Sequence, residues 1–264
     1  MSDATAYTES AFKLGSTVIP HVGGSLSTNV EKTQEFLRSG GKINHDISIV
    51  YEKKPIIKAS IYDISLLDDI DHYGSVGDTY NQVSAHWRVY ECGGLLGTAY
   101  HSIASDLGVL LPNSLSASLN TAATLELTAN MLHTAGTAFV IGTVVQLPSV
   151  ITKTFTPDTV VIGSDTIDMN SCNVNWNYGE AFADGRFEPE CLYWKTSEKS
   201  GDIKIWNLNK IDAARMNGTE QSITLNFREA QEGATGSYAL NLGTCFIEAE
   251  VTDSMGTVTF TKLQ

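Results

Sequence analysis

The sequence predicts a mainly β protein with minor α: two tandem, related β-sandwich or barrel domains, each flanked by a short helix. Three observations carry this expectation. Apolar residues alternate with polar ones, as in Ile47, Ile49 and Tyr51 and again in Ile57, Ala59 and Ile61, the period of a half-buried strand. Residue character repeats at an offset of 144 positions, the mark of a duplicated unit. Helical spacing is confined to short pieces.

Taken in order, residues 1–19 are polar and small, with Phe12 and Leu14 as possible anchors, and predict an N-terminal arm that orders only against something else. Residues 20–155 form the first domain. Its two strands, around Ile49 and Ile57, flank a turn at Glu52-Lys53-Lys54-Pro55, and a short helix follows over 66–72. A helical insertion is expected over about 74–118. There Asp78-Thr79 caps a segment carrying Val83, Trp87 and Tyr90, Gly93-Gly94 ends it, and a second short helix covers 100–107. Strands return over 124–131, 138–147 and 150–155. The run 138–145 is apolar on both faces, so it is covered on both sides or meets a partner subunit. Residues 156–164 read as a linker and 165–264 as the second domain, with a short helix over 210–216. A closing hairpin has Val258 and Phe260 inward beyond a turn at Ser254-Met255-Gly256.

The repeat is specific in places. At the offset of 144, Gly41-Lys42-Ile43 falls on Gly185-Arg186-Phe187, Ile47-Ser48-Ile49-Val50 on Cys191-Leu192-Tyr193-Trp194, and Ile61-Tyr62-Asp63-Ile64-Ser65 on Ile205-Trp206-Asn207-Leu208-Asn209. Agreement then resumes at a shorter offset, Leu125-Glu126-Leu127-Thr128 on Ile223-Thr224-Leu225-Asn226, because the first copy carries the insertion.

The chain has 17 basic and 30 acidic side chains on 264 residues, a net charge of −13. Residues 1–150 carry −6 and residues 151–264 carry −7, so the acidity belongs to the folded body. It argues against a protein that grips nucleic-acid phosphates, since that affinity comes from Lys and Arg. No apolar run approaches the ~20 residues that span a bilayer, and MSDATAYTES is no secretory signal. Cys92, Cys172, Cys191 and Cys245 lie far apart, without metal or redox spacing, and fit a reducing compartment.

Catalytic motifs are absent, and no enzyme activity, cofactor or metal is expected. The six histidines show no ligand spacing, and His86 beside Trp87 reads as packing. Asp68, Asp69, Asp71 and Asp78 could attract a hard cation, but their spacing fits no EF-hand and a solvated helix start accounts for them. Glu188 and Glu190 share a strand face, with Pro189 between them marking an edge rather than an acid–base pair. Tyr62, Trp87, Tyr193, Trp194 and Trp206 could make a sugar-stacking platform. Yet Tyr62 and Trp206 occupy equivalent repeat positions, which favours core or subunit contacts.

With these features together, the sequence resembles the tail tube (major tail) proteins of long-tailed bacteriophages in their two-domain form, from about Gly24 to Gln264. Trp87-Arg88-Val89-Tyr90-Glu91-Cys92-Gly93-Gly94-Leu95 is similar to the helix-then-glycine segments of some phage tail proteins. The resemblance implies trimeric, pseudo-hexameric rings stacked as a hollow tube in the virion tail, assembled in the host cytoplasm. It also implies contacts with tape-measure and terminator proteins, no membrane, and DNA as a passenger only. A negatively lined channel would let DNA slide, with Asp46, Glu52, Glu190 and Glu198 as candidate lumen or subunit-contact acids. Alternatives are a tail terminator, distal-tail or capsid-decoration protein that forms a single ring, a carbohydrate-binding β-sandwich module, and a hydrolase with a carboxylate pair.

Overall fold

The computed structural model describes residues 6–37, 47–70, 79–80, 82–90, 96–132, 140–144, 153–182, 192–211, 218–230, 234–252 and 255–263. They are almost entirely antiparallel β. The chain opens with β1 (Ala6–Leu14), β2 (Thr17–Ile19), β3 (Ser27–Leu37) and β4 (Ile47–Ile61), then one 3-10 turn at Ile64–Leu66 and the single-turn helix α1 (Leu67–Ile70). Next come β5 (Thr79–Tyr80), β6 (Val83–Tyr90), β7 (Leu96–Ser105), β8 (Leu107–Ser118), β9 (Thr124–Leu132) and β10 (Val140–Val144). The second half holds β11 (Phe155–Ile162), β12 (Asp165–Phe182), β13 (Leu192–Ile205), a 3-10 turn at Leu208–Lys210, β14 (Thr219–Glu229), β15 (Ser237–Thr252) and β16 (Met255–Leu263).

Alternation builds these strands. In β9, Leu125, Leu127, Ala129 and Met131 are buried while Glu126 is exposed. In β14, Ile223, Leu225 and Phe227 point inward and Arg228 outward. The second half closes on itself. β11 pairs β12 and β14, β14 pairs β15, β15 pairs β16, β16 pairs β13, and β13 pairs β12, a six-stranded antiparallel barrel. Its interior is filled by Val160, Ile167, Val174, Ile203, Ile223, Leu225, Ile247, Val258 and Phe260. In the first half β2 pairs β1, β1 pairs β6, β6 pairs β7, β8 pairs β9, and β9 pairs β4, which pairs β3. A bridge from His21 to Ile61 joins the end of β2 to β4.

Several expectations change. The N-terminal arm is not loose from residue 6 on: β1 lies along β6, with Phe12 1% exposed. The helical insertion over about 74–118 has no helix among its described residues and is strand but for Gln82 and Asp106. Val83, Ser84, Ala85 and His86 are all buried, so β6 is covered on both faces and its period of two is hidden. The expected turn at 52–55 is the middle of one long strand. Pro55 sits opposite Val30 of β3, where the ladder to β9 has already run out, so its missing N–H breaks no bond on that side. The linker over 156–164 is mostly β11, whose Phe155, Val160 and Ile162 are core. Finally, the shorter repeat offset matched β9 to β14. The ladders instead set β9 beside β4, as β16 lies beside β13.

Candidate functional site

Eight strands run in one unbroken hydrogen-bonded order, β15-β16-β13-β12-β8-β9-β4-β3. The two halves meet in its middle, where Ser171–Asn175 of β12 pair with Ser118–Ser114 of β8. One face of this sheet supplies the buried cores. The other is polar apart from a small buried cluster of Val109, Leu111 and Leu132 at one end, and it is the candidate site.

Register fixes which side chains share that face. Ser171, Asn173 and Asn175 of β12 stand opposite Lys204, Asp202 and Ser200 of β13, which stand opposite Thr257, Thr259 and Thr261 of β16. Thr257 and Thr259 face Glu250 and Glu248 of β15. On the other side, Ser114 faces Glu126 of β9, Thr128 faces Lys58 of β4, and Lys54 faces Glu31 of β3. One hydrogen bond crosses the join, Ser116 Oγ donating to Asn173 Oδ1 at 3.1 Å, and within the second half Asn173 Nδ2 donates to Asp202 Oδ1 at 3.1 Å. Ser114 Oγ donates to Glu126 Oε2 at 3.0 Å. Small neutral hydroxyls and amides dominate. Among the described residues, the carboxylates of Glu31, Glu126, Glu198, Asp202, Glu248 and Glu250 outnumber the ammoniums of Lys54, Lys58 and Lys204.

Of the four acids expected at a lumen or subunit contact, Asp46 and Glu190 lie outside the described residues. Glu52 is in β4 opposite Thr33, and its side chain is likewise outside the description. Glu198 is half-buried on the polar face, opposite Asn177. Sequence reasoning missed Glu126, Asp202, Glu248 and Glu250. Their signal was the alternation itself, as in Asp202-Ile203-Lys204-Ile205 and Glu248-Ala249-Glu250-Val251.

The other candidates separate. Asp68 accepts a hydrogen bond from Tyr238 Oη at 3.1 Å, so the first acid of the cluster ties α1 to β15. Asp71, Asp78, Glu188 and the whole of Cys92 and Cys191 lie outside the described residues. No group of three or more His, Cys, Asp or Glu suited to a metal occurs among the described residues. Cys172 is a free, buried thiol pushed up to about 12 by burial and then by the Asp202 carboxylate, so it is a packing residue and not a nucleophile. Trp87 packs against the core, while Trp206 stands 49% exposed beyond the end of β13. No helix among the described residues is long and apolar enough to cross a membrane.

His86 meets Ser84 Oγ through Nε2 at 2.9 Å, but both are buried and Nδ1 has no partner among the described residues. Burial holds its imidazole below the ordinary value, and the Lys13 ammonium adds to this. Burial also lowers His21, against a smaller opposing effect of its hydrogen bond with the Ile19 backbone. The unfolded chain takes these protons near pH 6.5 and the folded chain only below that. Stability is therefore full above about pH 6.5 and falls as pH drops through the window beneath it. His86→Gln is expected to shrink the difference between urea midpoints measured at pH 7.5 and pH 5. An unchanged difference would assign the acid sensitivity to other groups.

Compared with protein-family models and with curated protein sequences, the chain finds no match.

Proposed function

We propose that this chain is a duplicated barrel protein whose copies join edge to edge into rings, and whose polar face lines the channel of a phage tail tube that DNA traverses. The reading starts from how closely the two halves correspond. Gly15 and Gly163 both take positive φ, +57° and +63°, and their amides donate to Gln82 O at 2.7 Å and Ser222 O at 2.9 Å. Phe12↔Ile19 and Leu14↔Thr17 recur as Val160↔Ile167 and Ile162↔Asp165, and His21↔Ile61 recurs as Met169↔Ile205. The hairpin β8–β9 stands to β4 as β15–β16 stands to β13. The 3-10 turns at Ile64–Leu66 and Leu208–Lys210 follow at the original offset of 144.

The observation that carries the ring is at the two ends of the eight-strand run. At the internal join, Leu115 of β8 pairs with Val174 of β12, and both are fully buried. Their counterparts by the same correspondence are Val251 of β15 and Val30 of β3. Val251 is 45% exposed, and Val30 is partly exposed. Among the described strands, β15 beyond Ile247 pairs only β16, and β3 pairs only β4. Each end is thus an open edge shaped like one side of the internal join, and open edges accept a further strand. Docking β15 of one copy on β3 of the next repeats the join between chains and covers both valines. The contact is heterologous, so it closes only if the turn per copy divides a circle.

Channel width favours three copies. With strands about 4.8 Å apart and tilted about 40°, a barrel of twenty-four strands has a backbone diameter of about 48 Å, which leaves about 30 Å between side chains. Two copies would give about 32 Å and, with the same side-chain thickness, a lumen of about 14 Å, too narrow for a duplex about 20 Å wide. Ser, Thr and Asn with a carboxylate excess offer DNA phosphates few cations to hold them. Assembly in the cytoplasm, a place in the virion tail, and contacts with tape-measure and terminator proteins belong to the same reading.

Negative-stain electron microscopy of the purified chain at rising concentration tests it. Hollow tubes with a threefold-symmetric cross-section are expected. Isolated rings would move the protein to a terminator, distal-tail or decoration role, and persistent monomers would remove the ring altogether.

A further inference from the structure

The pairing of β12 with β8 stops at Asn175↔Ser114. Beyond it lies a cleft of about 300 Å³, bordered by Lys54 and Lys58 of β4, Thr128 and Asn130 of β9, Trp176 of β12 and Glu31 of β3. Two of these residues are almost wholly enclosed, Asn130 at 3% and Trp176 at 4% exposure. Yet Asn130 Nδ2 and Trp176 Nε1 have no hydrogen-bond partner among the described residues. A buried N–H without an acceptor carries its full desolvation cost, so both gain from an acceptor that they reach by turning toward the cleft. Thr128 Oγ1 already accepts from Asn113 Nδ2 at 2.7 Å, which leaves its own proton for another group. The Lys199 ammonium lies 6.0 Å from the centroid of the Trp176 ring and adds positive charge beside the indole. Among the described residues, donors and cations therefore gather around this cleft with one lining carboxylate, Glu31.

We propose that this cleft binds an oxyanion group, a phosphate or a carboxylate carried on a small molecule. The Lys54 and Lys58 ammoniums balance its charge, and Asn130 Nδ2 and Trp176 Nε1, sealed in the free chain, turn to donate to its oxygens. Charge-assisted bonds of this kind are the strong ones, and the cleft is larger than a bare ion needs, so the group has room for the body of its carrier. The proposal does not depend on ring assembly, and in a ring it would mark one local anion site on a channel face otherwise poor in cations.

Titrating the full chain with sodium phosphate, and separately with sodium acetate, at fixed ionic strength tests it through tryptophan emission and calorimetry. A saturable emission change is expected, lost in Trp176→Phe, with binding about tenfold weaker in Lys58→Met. Lys58 is exposed, so that variant keeps its fold. Tighter binding of phosphate would mark a phosphate-bearing ligand, and tighter binding of acetate a carboxylate, either one supporting the site. Absence of saturation with both anions, a change that survives in Trp176→Phe, or unaltered affinity in Lys58→Met would each overturn it.

Discussion

Val251→Asp is expected to leave a folded chain that no longer assembles. In a single copy the side chain is 45% exposed, so the substitution changes stability by no more than about 0.5 kcal/mol. In the proposed seam it would bury a carboxylate against Val30. Covering what remains exposed of the two valines is worth less than half of the ~1.5–3 kcal/mol that full burial gives each side chain, and an unpaired buried acid reverses the gain and adds its own desolvation cost. Association should weaken by about two to three orders of magnitude, read by sedimentation velocity and by the loss of rings in micrographs. Val251→Ile, which keeps the apolar contact, should assemble normally. Leu115→Asp supplies the contrast: Leu115, the counterpart of Val251 at the internal join, is fully buried within the chain, so that variant should fail to fold instead. Wild-type assembly by Val251→Asp would sink the β15–β3 seam.

Gly201→Ala should be the most damaging single-atom addition in the second barrel. Gly201 lies in β13 between Val174 of β12 and Phe260 of β16. A methyl there would run into the carbonyl oxygen of Asn173 and come within 2.8 Å of Phe260 Cζ. The ring could turn aside, but the backbone carbonyl cannot without breaking the ladder. Overpacking a rigid core costs about 1–3 kcal/mol, and the displaced backbone brings the expected loss to about 3 kcal/mol or more, a fall of about 10 °C in Tm. Gly142→Ala is the control, because a methyl there meets only Ser102 Oγ at 3.3 Å. Thermal unfolding followed by circular dichroism separates them. A Tm for Gly201→Ala within 2 °C of wild type, an on-the-order-of-zero effect by the same scale, would show that the barrel yields where its packing says it cannot.

The mainly β character was legible because β9, β13, β14 and β15 each keep one wet face, so their alternation is visible in Leu125-Glu126-Leu127-Thr128 and its kin. β6 was not legible for the opposite reason. With Ser84 and His86 buried alongside Val83 and Ala85, polarity no longer reports which face is inside. Trp87 and Tyr90 then imitate a helical spacing. The break in β4 at Pro55 was misread because proline marks a turn unless the strand has a neighbour on one side only, which is a fact of tertiary pairing. The offset of 144 placed β4 on β13 correctly in register, since Ile61 and Ile205 occupy matching ladder sites, opposite His21 and Met169. It faltered later because one copy breaks its long strand at Ser105-Asp106, into β7 and β8, whereas the other runs on as β15. The polar face itself was hidden until the order of strands was known, because its described acids come from four separate strands, β3, β9, β13 and β15.

The 18-residue strand β12 has a consequence for stiffness. Along one edge it serves β11 at Asp165–Asp168 and then β8 at Ser171–Asn175, while β13 holds its other edge. The same stave therefore belongs to the wall of one barrel and to the panel that joins both. Sliding the halves past each other along the strand direction strains the whole Ser114–Ser118 ladder at once. A chain made this way transmits load as a single plate. Any bending of an object built from it must be taken up between molecules.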